Sequence, residues 1–285
     1  MKRVLSFVLM CTLVASTLSM NISAALIKKS NGSVINAETA KDGYFTASYT
    51  AGGDKRIKVM VEKDGQKYTY DLKNNGESEV YPLQLGDGQY KIRVLRNTTG
   101  TKYSVLNTYN VNVKLENPHS PFLTSSQYVN YTANSNVVKA AAEITENAKN
   151  ELEKVDIIYN YVVNAMSYDK QKAQTVQSGY LPDVDLVVAA QKGICFDYAA
   201  VMAAMLRSQG IPAKLVTGYV APNNGYHAWN EVYIKDIGWI KTGSLYFDGS
   251  KWTTMDPTFT SSAKTSASIA QFIGNGKNYS TKYIY

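Results

Sequence analysis

The chain has 285 residues, a formal charge of +7 and 45% hydrophobic residues, enough for one large or two ordinary domains with proper cores. Its basic residues are spread out rather than gathered in runs, which argues against a dedicated nucleic-acid surface. With two Cys and two His in all, it has no Cys-x-x-Cys or His-x-x-x-His pattern and no disulfide framework, so neither a metal nor another cofactor is expected.

Residues 1–25 read as a secretory signal peptide. Lys2 and Arg3 precede an apolar run from Val4 to about Leu18, and Ser23-Ala24-Ala25 supply small residues for cleavage. The run is too short for a spanning helix and no later stretch approaches the length, so a secreted mature chain without a membrane span is expected from about Leu26. Losing Lys2 and Arg3 takes the formal charge from +7 to +5, a mild basicity that suits an anionic cell-wall surface. Cys11 leaves with the leader, and Leu9-Met10 before it are not the small residues of a lipoprotein anchor. One cysteine, Cys195, then remains in a compartment where cysteines are normally spent on disulfides.

Residues 26–116 are expected to form a small β-sandwich. Short, partly alternating runs at 44–49, 57–61, 68–72, 89–95 and 108–113 read as strands, with turns at Asp64-Gly65, Asn75-Gly76, Asp87-Gly88 and Thr99-Gly100. No Cys, His or carboxylate cluster marks a site there, so a structural or binding module is the default. Asn117-Pro118-His119-Ser120-Pro121 stops both helix and central strand, and a second domain is expected over 117–285. Helices are expected at 136–147, 150–166, 185–191 and 195–209. Strands follow at 213–220, 228–234, 239–247 and 252–255, an α+β order.

Cys195 opens the helix-forming run Phe196 to Leu206, which Gly210 and Pro212 stop. A helix N-terminus favours an anion and offers backbone N–H groups to a thiolate or an oxyanion. Gly193 is expected to allow an unusual backbone angle just before it. A buried structural cysteine fits the same local pattern. His227, 32 residues on, follows the turn Pro222-Asn223-Asn224-Gly225. A neutral imidazole near pH 7 would suit proton abstraction, with Trp229 covering the site and Glu231 a structural carboxylate. Asp256, 29 residues further, could accept from the second imidazole nitrogen. Each signal is weak alone; the ordered set of a lone Cys, a His and an Asp points to nucleophilic catalysis.

The blocks Gly193-Ile194-Cys195-Phe196-Asp197-Tyr198-Ala199, Leu206 to Tyr219, His227-Ala228-Trp229-Asn230-Glu231-Val232 and Trp252 to Thr258 resemble the transglutaminase-like superfamily, over about residues 125–260. The resemblance implies a papain-like α+β core with Cys195 as nucleophile, His227 as general base and acid, and Asp256 as orienting group. It also implies that Tyr168 lines the oxyanion region, with Phe196 and Trp229 near the site. Phe196 stands where the animal crosslinking members carry Trp, and their multi-domain layout is absent, so crosslinking and calcium dependence do not carry over. Extra residues between Lys235 and Ser250 are expected to form a longer hairpin ending at Asp248-Gly249. The implied chemistry is acyl transfer from a peptide or glutamine carboxamide to water or an amine, on extracellular or cell-wall peptide or protein substrates. The competing reading is a surface binding or adhesion protein that keeps the fold without the activity.

Overall fold

The structure is a computed structural model that describes residues 26–51, 53–235, 238–242, 246–247, 252–253, 256–258, 261 and 278–285; residues 238–242, 246–247 and 252–253 are described by their backbone alone. The expected signal peptide and the Asp248-Gly249 turn lie outside the described residues. No helix among them is long and apolar enough to cross a membrane.

The N-terminal part is two four-stranded antiparallel sheets. One contains β1 (Ile27–Ser30), β2 (Ser33–Asn36), β3 (Tyr44–Tyr49) and β6 (Glu79–Pro82), in that order across the sheet. The other has the order β5 (Gln66–Leu72), β4 (Ile57–Lys63), β7 (Gly88–Thr99), β8 (Lys102–Val113). Period-two alternation sets the inner faces: Phe45, Ala47 and Tyr49 on β3 and Ile57, Val59 and Val61 on β4 are buried while their neighbours are not. This is the small β domain expected. Asp64-Gly65 joins β4 to β5 with positive φ at both residues (49° and 81°), the mirror-image turn that suits strand twist. Asp87-Gly88 is not a turn of that kind. Gly88 opens β7, and the Asp87 carboxylate accepts from the Leu115 N–H at 2.9 Å.

The C-terminal part is α+β. Helices α1 (Asn136–Ile144), α2 (Glu151–Ala165), α3 (Lys170–Thr175) and α4 (Val184–Ala190) precede the central helix α5 (Cys195–Ser208). A two-stranded parallel pair, β9 (Ser167–Tyr168) with β10 (Lys192–Gly193), lies just before α5. A four-stranded antiparallel sheet has the order β13 (Gly238–Thr242), β12 (Gly225–Ile234), β11 (Ala213–Val220), β16 (Tyr279–Ile284). A separate short pair joins β14 (Tyr246–Phe247) to β15 (Trp252–Thr253). The single strand expected over 239–247 is thus two strands. The strand expected at 252–255 is described only for 252–253, with Met255 outside the described residues.

Every residue from Asp197 to Arg207 is buried, so α5 is enclosed by α1, α2, α4 and the sheet. Each large apolar side chain so enclosed contributes about 1.5–3 kcal/mol. Asn230 on β12 donates to Ala199 O at 2.9 Å and to Lys214 O at 3.1 Å, fixing helix to sheet. Gly210 N–H returns to Arg207 O and Ile211 N–H to Leu206 O, closing the helix where Gly210 and Pro212 were expected to stop it. Arg207 is buried and donates to three main-chain oxygens: Ala213 at 2.8 Å, Thr124 at 2.7 Å and Tyr285 at 2.8 Å. Arg207→Met removes all three donors and is expected to lower the unfolding free energy by about 3–5 kcal/mol, read from urea unfolding. A loss under about 1 kcal/mol would show that those carbonyls find other partners.

The two parts share one hydrophobic core. Its seam is aromatic: Tyr285 stacks on Tyr128 (4.0 Å) and meets Tyr68 (5.7 Å) and Tyr70 (6.4 Å) edge-on. Tyr128 in turn touches Phe196 at 5.9 Å, so aromatic packing runs from the β domain to the start of α5.

Candidate active site

Cys195 is the first residue of α5, half-buried and free of any disulfide. Gly193 precedes it, but for a reason other than the one expected. It does not adopt a left-handed φ; a Cβ there would lie 2.6 Å from the Asp197 Cβ, so only glycine allows the turn to close onto the helix. Asp197 is fully buried and accepts from Ile194 N–H at 2.8 Å, pinning the turn that presents the thiol.

His227 sits near the start of β12, opposite Gly218 on β11, with its side chain almost wholly enclosed. Its Nε2 is hydrogen-bonded to Asp256 Oδ2, and its side chain is also hydrogen-bonded with that of Cys195. Since Asp256 occupies Nε2, Nδ1 is the nitrogen left for Cys195. Burial by itself would lower the imidazole pKa. The charge and hydrogen bond of Asp256, followed by those of Cys195, outweigh it and lift the pKa to about 10. The imidazole is therefore protonated at neutral pH, unlike the neutral ring expected from sequence, because a buried carboxylate lies against it.

Asp256 is fully buried and held on both oxygens. Oδ1 accepts from Thr258 N–H at 2.9 Å, and Oδ2, besides His227, accepts from the Tyr279 hydroxyl at 3.3 Å. Burial, then the Asp256 charge and hydrogen bond, push the Tyr279 phenol well up, so it stays a donor. Tyr279 was not anticipated from sequence; it arrives from β16, about fifty residues beyond β12 in the chain and two strands away in the sheet.

Tyr168 is half-buried on β9, paired with Gly193. Its phenol is raised by burial first and then by the charge of Cys195. Phe196 is half-buried, with Tyr128 on one side and Tyr180 edge-on at 6.4 Å. Trp229 is 2% exposed, near-parallel to the His227 ring at 6.5 Å and edge-on to Tyr279 at 5.1 Å. It supports the imidazole from within the fold, whereas a cover over the site was expected. Glu231 pairs with Lys214 across β11 and β12 at 2.9 Å, a structural ion pair as anticipated.

A half-buried thiol at the front of a central helix, against a histidine–carboxylate pair on an antiparallel sheet, defines a papain-like α+β thiol core. Residues 138–257 match the sequence profile of the transglutaminase-like superfamily. The YebA protein of Bacillus subtilis is 27% identical over 248 residues, covering 80% of this chain and 30% of that protein. The protein-glutamine gamma-glutamyltransferase of Pseudomonas aeruginosa is 34% identical over 74 residues, 22% of this chain and 11% of that enzyme. The periplasmic domain of TgpA from Pseudomonas aeruginosa superposes with a TM-score of 0.37 at 15% identity, covering 83% of this chain and 96% of that domain. The chain thus spans about a third or less of the length of these two curated relatives.

Proposed function

We propose that the protein is a secreted thiol enzyme that forms an acyl-thioester on Cys195 from peptide or glutamine-carboxamide carbonyls of extracellular or cell-wall peptides. The observation that carries this reading is the His227 imidazole, held at Nε2 by buried Asp256 and hydrogen-bonded by Cys195. In this reading Cys195, His227 and Asp256 act as a catalytic triad. The sandwich of residues 26–116 places residues 117–285 on the substrate.

In this reading the reaction starts from a thiolate–imidazolium pair, the imidazolium being favoured by the buried Asp256 carboxylate. The Sγ electron pair forms the C–S bond while the carbonyl π pair moves onto oxygen. In this reading the first amides of α5 and the Tyr168 hydroxyl receive that oxyanion. When the carbonyl re-forms, the C–N bond breaks and His227 gives its proton to the departing ammonia or amine. Neutral His227 then takes a proton from water or an incoming amine as it attacks the thioester, and Cys195 leaves as thiolate. Asp256 keeps the imidazole in one orientation through both proton transfers. Water yields an acid, as in a peptidase or deamidase; an amine yields a new amide. The relation to a named glutamyltransferase supports the glutamine carboxamide as one acyl donor.

The test is mass spectrometry of a glutamine-containing peptide library incubated with the full chain, with and without a primary amine. Backbone cleavage, a gain of about 1 Da or an amine adduct separates the three outcomes. All products are expected to vanish in Cys195→Ala. Products that persist in that variant, or none from the wild type, favour a binding protein that keeps only the fold.

A further inference from the structure

We propose that Lys172 is a positioning residue for Cys195: by neutralising the buried Asp197 carboxylate that ties the Gly193–Cys195 turn, it keeps the front of α5 electropositive toward the thiol. The proposal rests on Cys195 being the nucleophile and adds a charge balance to that reading.

The turn that presents Cys195 needs Asp197, whose Oδ2 accepts from Ile194 N–H. That tie puts a fully buried carboxylate two residues from the thiol, in the first turn of its own helix. An unopposed anion there would cancel the N-terminal field of α5 and disfavour a thiolate. Two donors close on it. Lys172 Nζ lies 2.7 Å from Oδ2 and the Tyr180 hydroxyl 2.6 Å from Oδ1, with 2.6 Å between Lys172 Nζ and that hydroxyl. The ammonium also lies 4.3 Å from the centre of the Tyr180 ring. Burial, then Asp197, keep the Tyr180 phenol protonated, so it satisfies an oxygen without supplying charge. Lys172 alone of the two brings the compensating cation.

The backbone delivers Lys172 to this point. Parallel pairing of β9 with β10 sets Tyr168 beside Gly193, and Asp169 N–H donates to Gly193 O at 2.8 Å. Asp169 then caps α3, its carboxylate accepting from Lys172 N–H at 2.9 Å, and the first turn of α3 carries Lys172 to Asp197. The chain thus ties the cation to the same short strand pair that leads into the nucleophile.

The other titratable groups around the thiol do not replace it. From the sheet side come the protonated His227 and the Asp256 carboxylate. Tyr168 on β9 and Tyr198 on α5 have phenols raised by burial and carry no charge at neutral pH. Lys192 on β10 is paired with Asp169 at 3.4 Å. Removing Lys172 would leave Asp197 and Asp256 with the imidazolium as the near cation. Lys172 also borders a cavity of about 380 Å³ lined in part by Tyr180, Leu181 and Val187, so an apolar replacement meets open space as well as packed atoms.

The test is the pH profile of iodoacetamide alkylation of Cys195 in the full chain. Lys172→Met is expected to move the profile up by about one pH unit, making labelling about tenfold slower on the acidic limb. Lys172→Arg, which keeps the charge, and Lys172→Met/Asp197→Asn, which removes both charges, are expected to label as the wild type does. A merely structural tie would leave the double variant at least as impaired as the single one. An unshifted Lys172→Met profile, or a shift that Asp197→Asn fails to relieve, overturns the proposal. Should Lys172→Met not fold, the double variant against wild type decides, a displaced profile overturning it. A His227→Ala control separates the two levels. If His227→Ala slows labelling while Lys172→Met does not, only the role of Lys172 falls; if neither does, the nucleophile reading falls with it.

Discussion

His227→Ala is expected to lower product formation about 10³–10⁴-fold, close to the loss from Cys195→Ala, because members of such a unit fail together rather than additively. In the proposed mechanism the imidazole is both the proton source for the departing nitrogen and the hydrogen-bond partner of the Cys195 sulfur. The measurement is kcat/KM on a peptide selected from the library. A loss below about tenfold would mean that His227 moves no proton in the reaction. The same variant has a stability signature. The folded-state pKa of His227 is raised to about 10 from an ordinary 6.5, so its contribution is fully present below about pH 6.5 and is lost as pH rises toward 10. The wild type should therefore lose unfolding free energy relative to His227→Ala between about pH 6.5 and 9.5, read from urea unfolding at each pH. A constant difference across that window would contradict the raised imidazole pKa.

Asp256→Asn is expected to cost about 10²–10⁴-fold in turnover while leaving the fold in place. The amide is near the carboxylate in size, its oxygen can still accept from Thr258 N–H at the Oδ1 position, and its NH2 takes the Oδ2 position beside the Tyr279 hydroxyl. What it loses is charge. His227 then keeps its burial but loses the Asp256 charge, the largest of the contributions that raise its pKa, so its titration falls from about 10. NMR titration of the His227 ring should show the midpoint fall from about 10 by at least about one unit. A midpoint that stays near 10 would show that Asp256 is not what holds the proton there.

The elements that carry the thiol and the imidazole were legible because each has local signals. Helix α5 has a continuous run of helix formers and a Gly–Pro stop, and it ends one residue short of the expected 195–209. Strand β11 occupies the expected 213–220. Elements held by partners rather than by their own pattern were not legible. Helix α3, with sequence KQKAQT, buries none of its residues and is fixed by the Asp169 cap and by β9–β10 pairing. Strand β16, YSTKYI, has no fully buried residue, and its place is set by pairing with β11 about sixty residues earlier. Short β1 and β2, IKKS and SVIN, are likewise defined by pairing to each other and by β2 joining β3. The site divides along the same line. Cys195, His227 and Asp256 stand in distinctive local frames. Tyr279 is one of 22 tyrosines and lies on an element that sequence does not mark. Gly193 and Asp197 sit beside the thiol in sequence, yet their contact depends on how the turn closes, which spacing does not reveal.

The most direct test of the central claim needs no substrate: the rate of Cys195 alkylation by iodoacetamide between pH 5 and 9, in wild type and His227→Ala. Cys195 is expected to label well below pH 8, where an ordinary free thiol of pKa about 8.5 is mostly unreactive, and to slow markedly in His227→Ala. Labelling that follows an ordinary free thiol in both proteins would contradict a Cys195 nucleophile activated by His227.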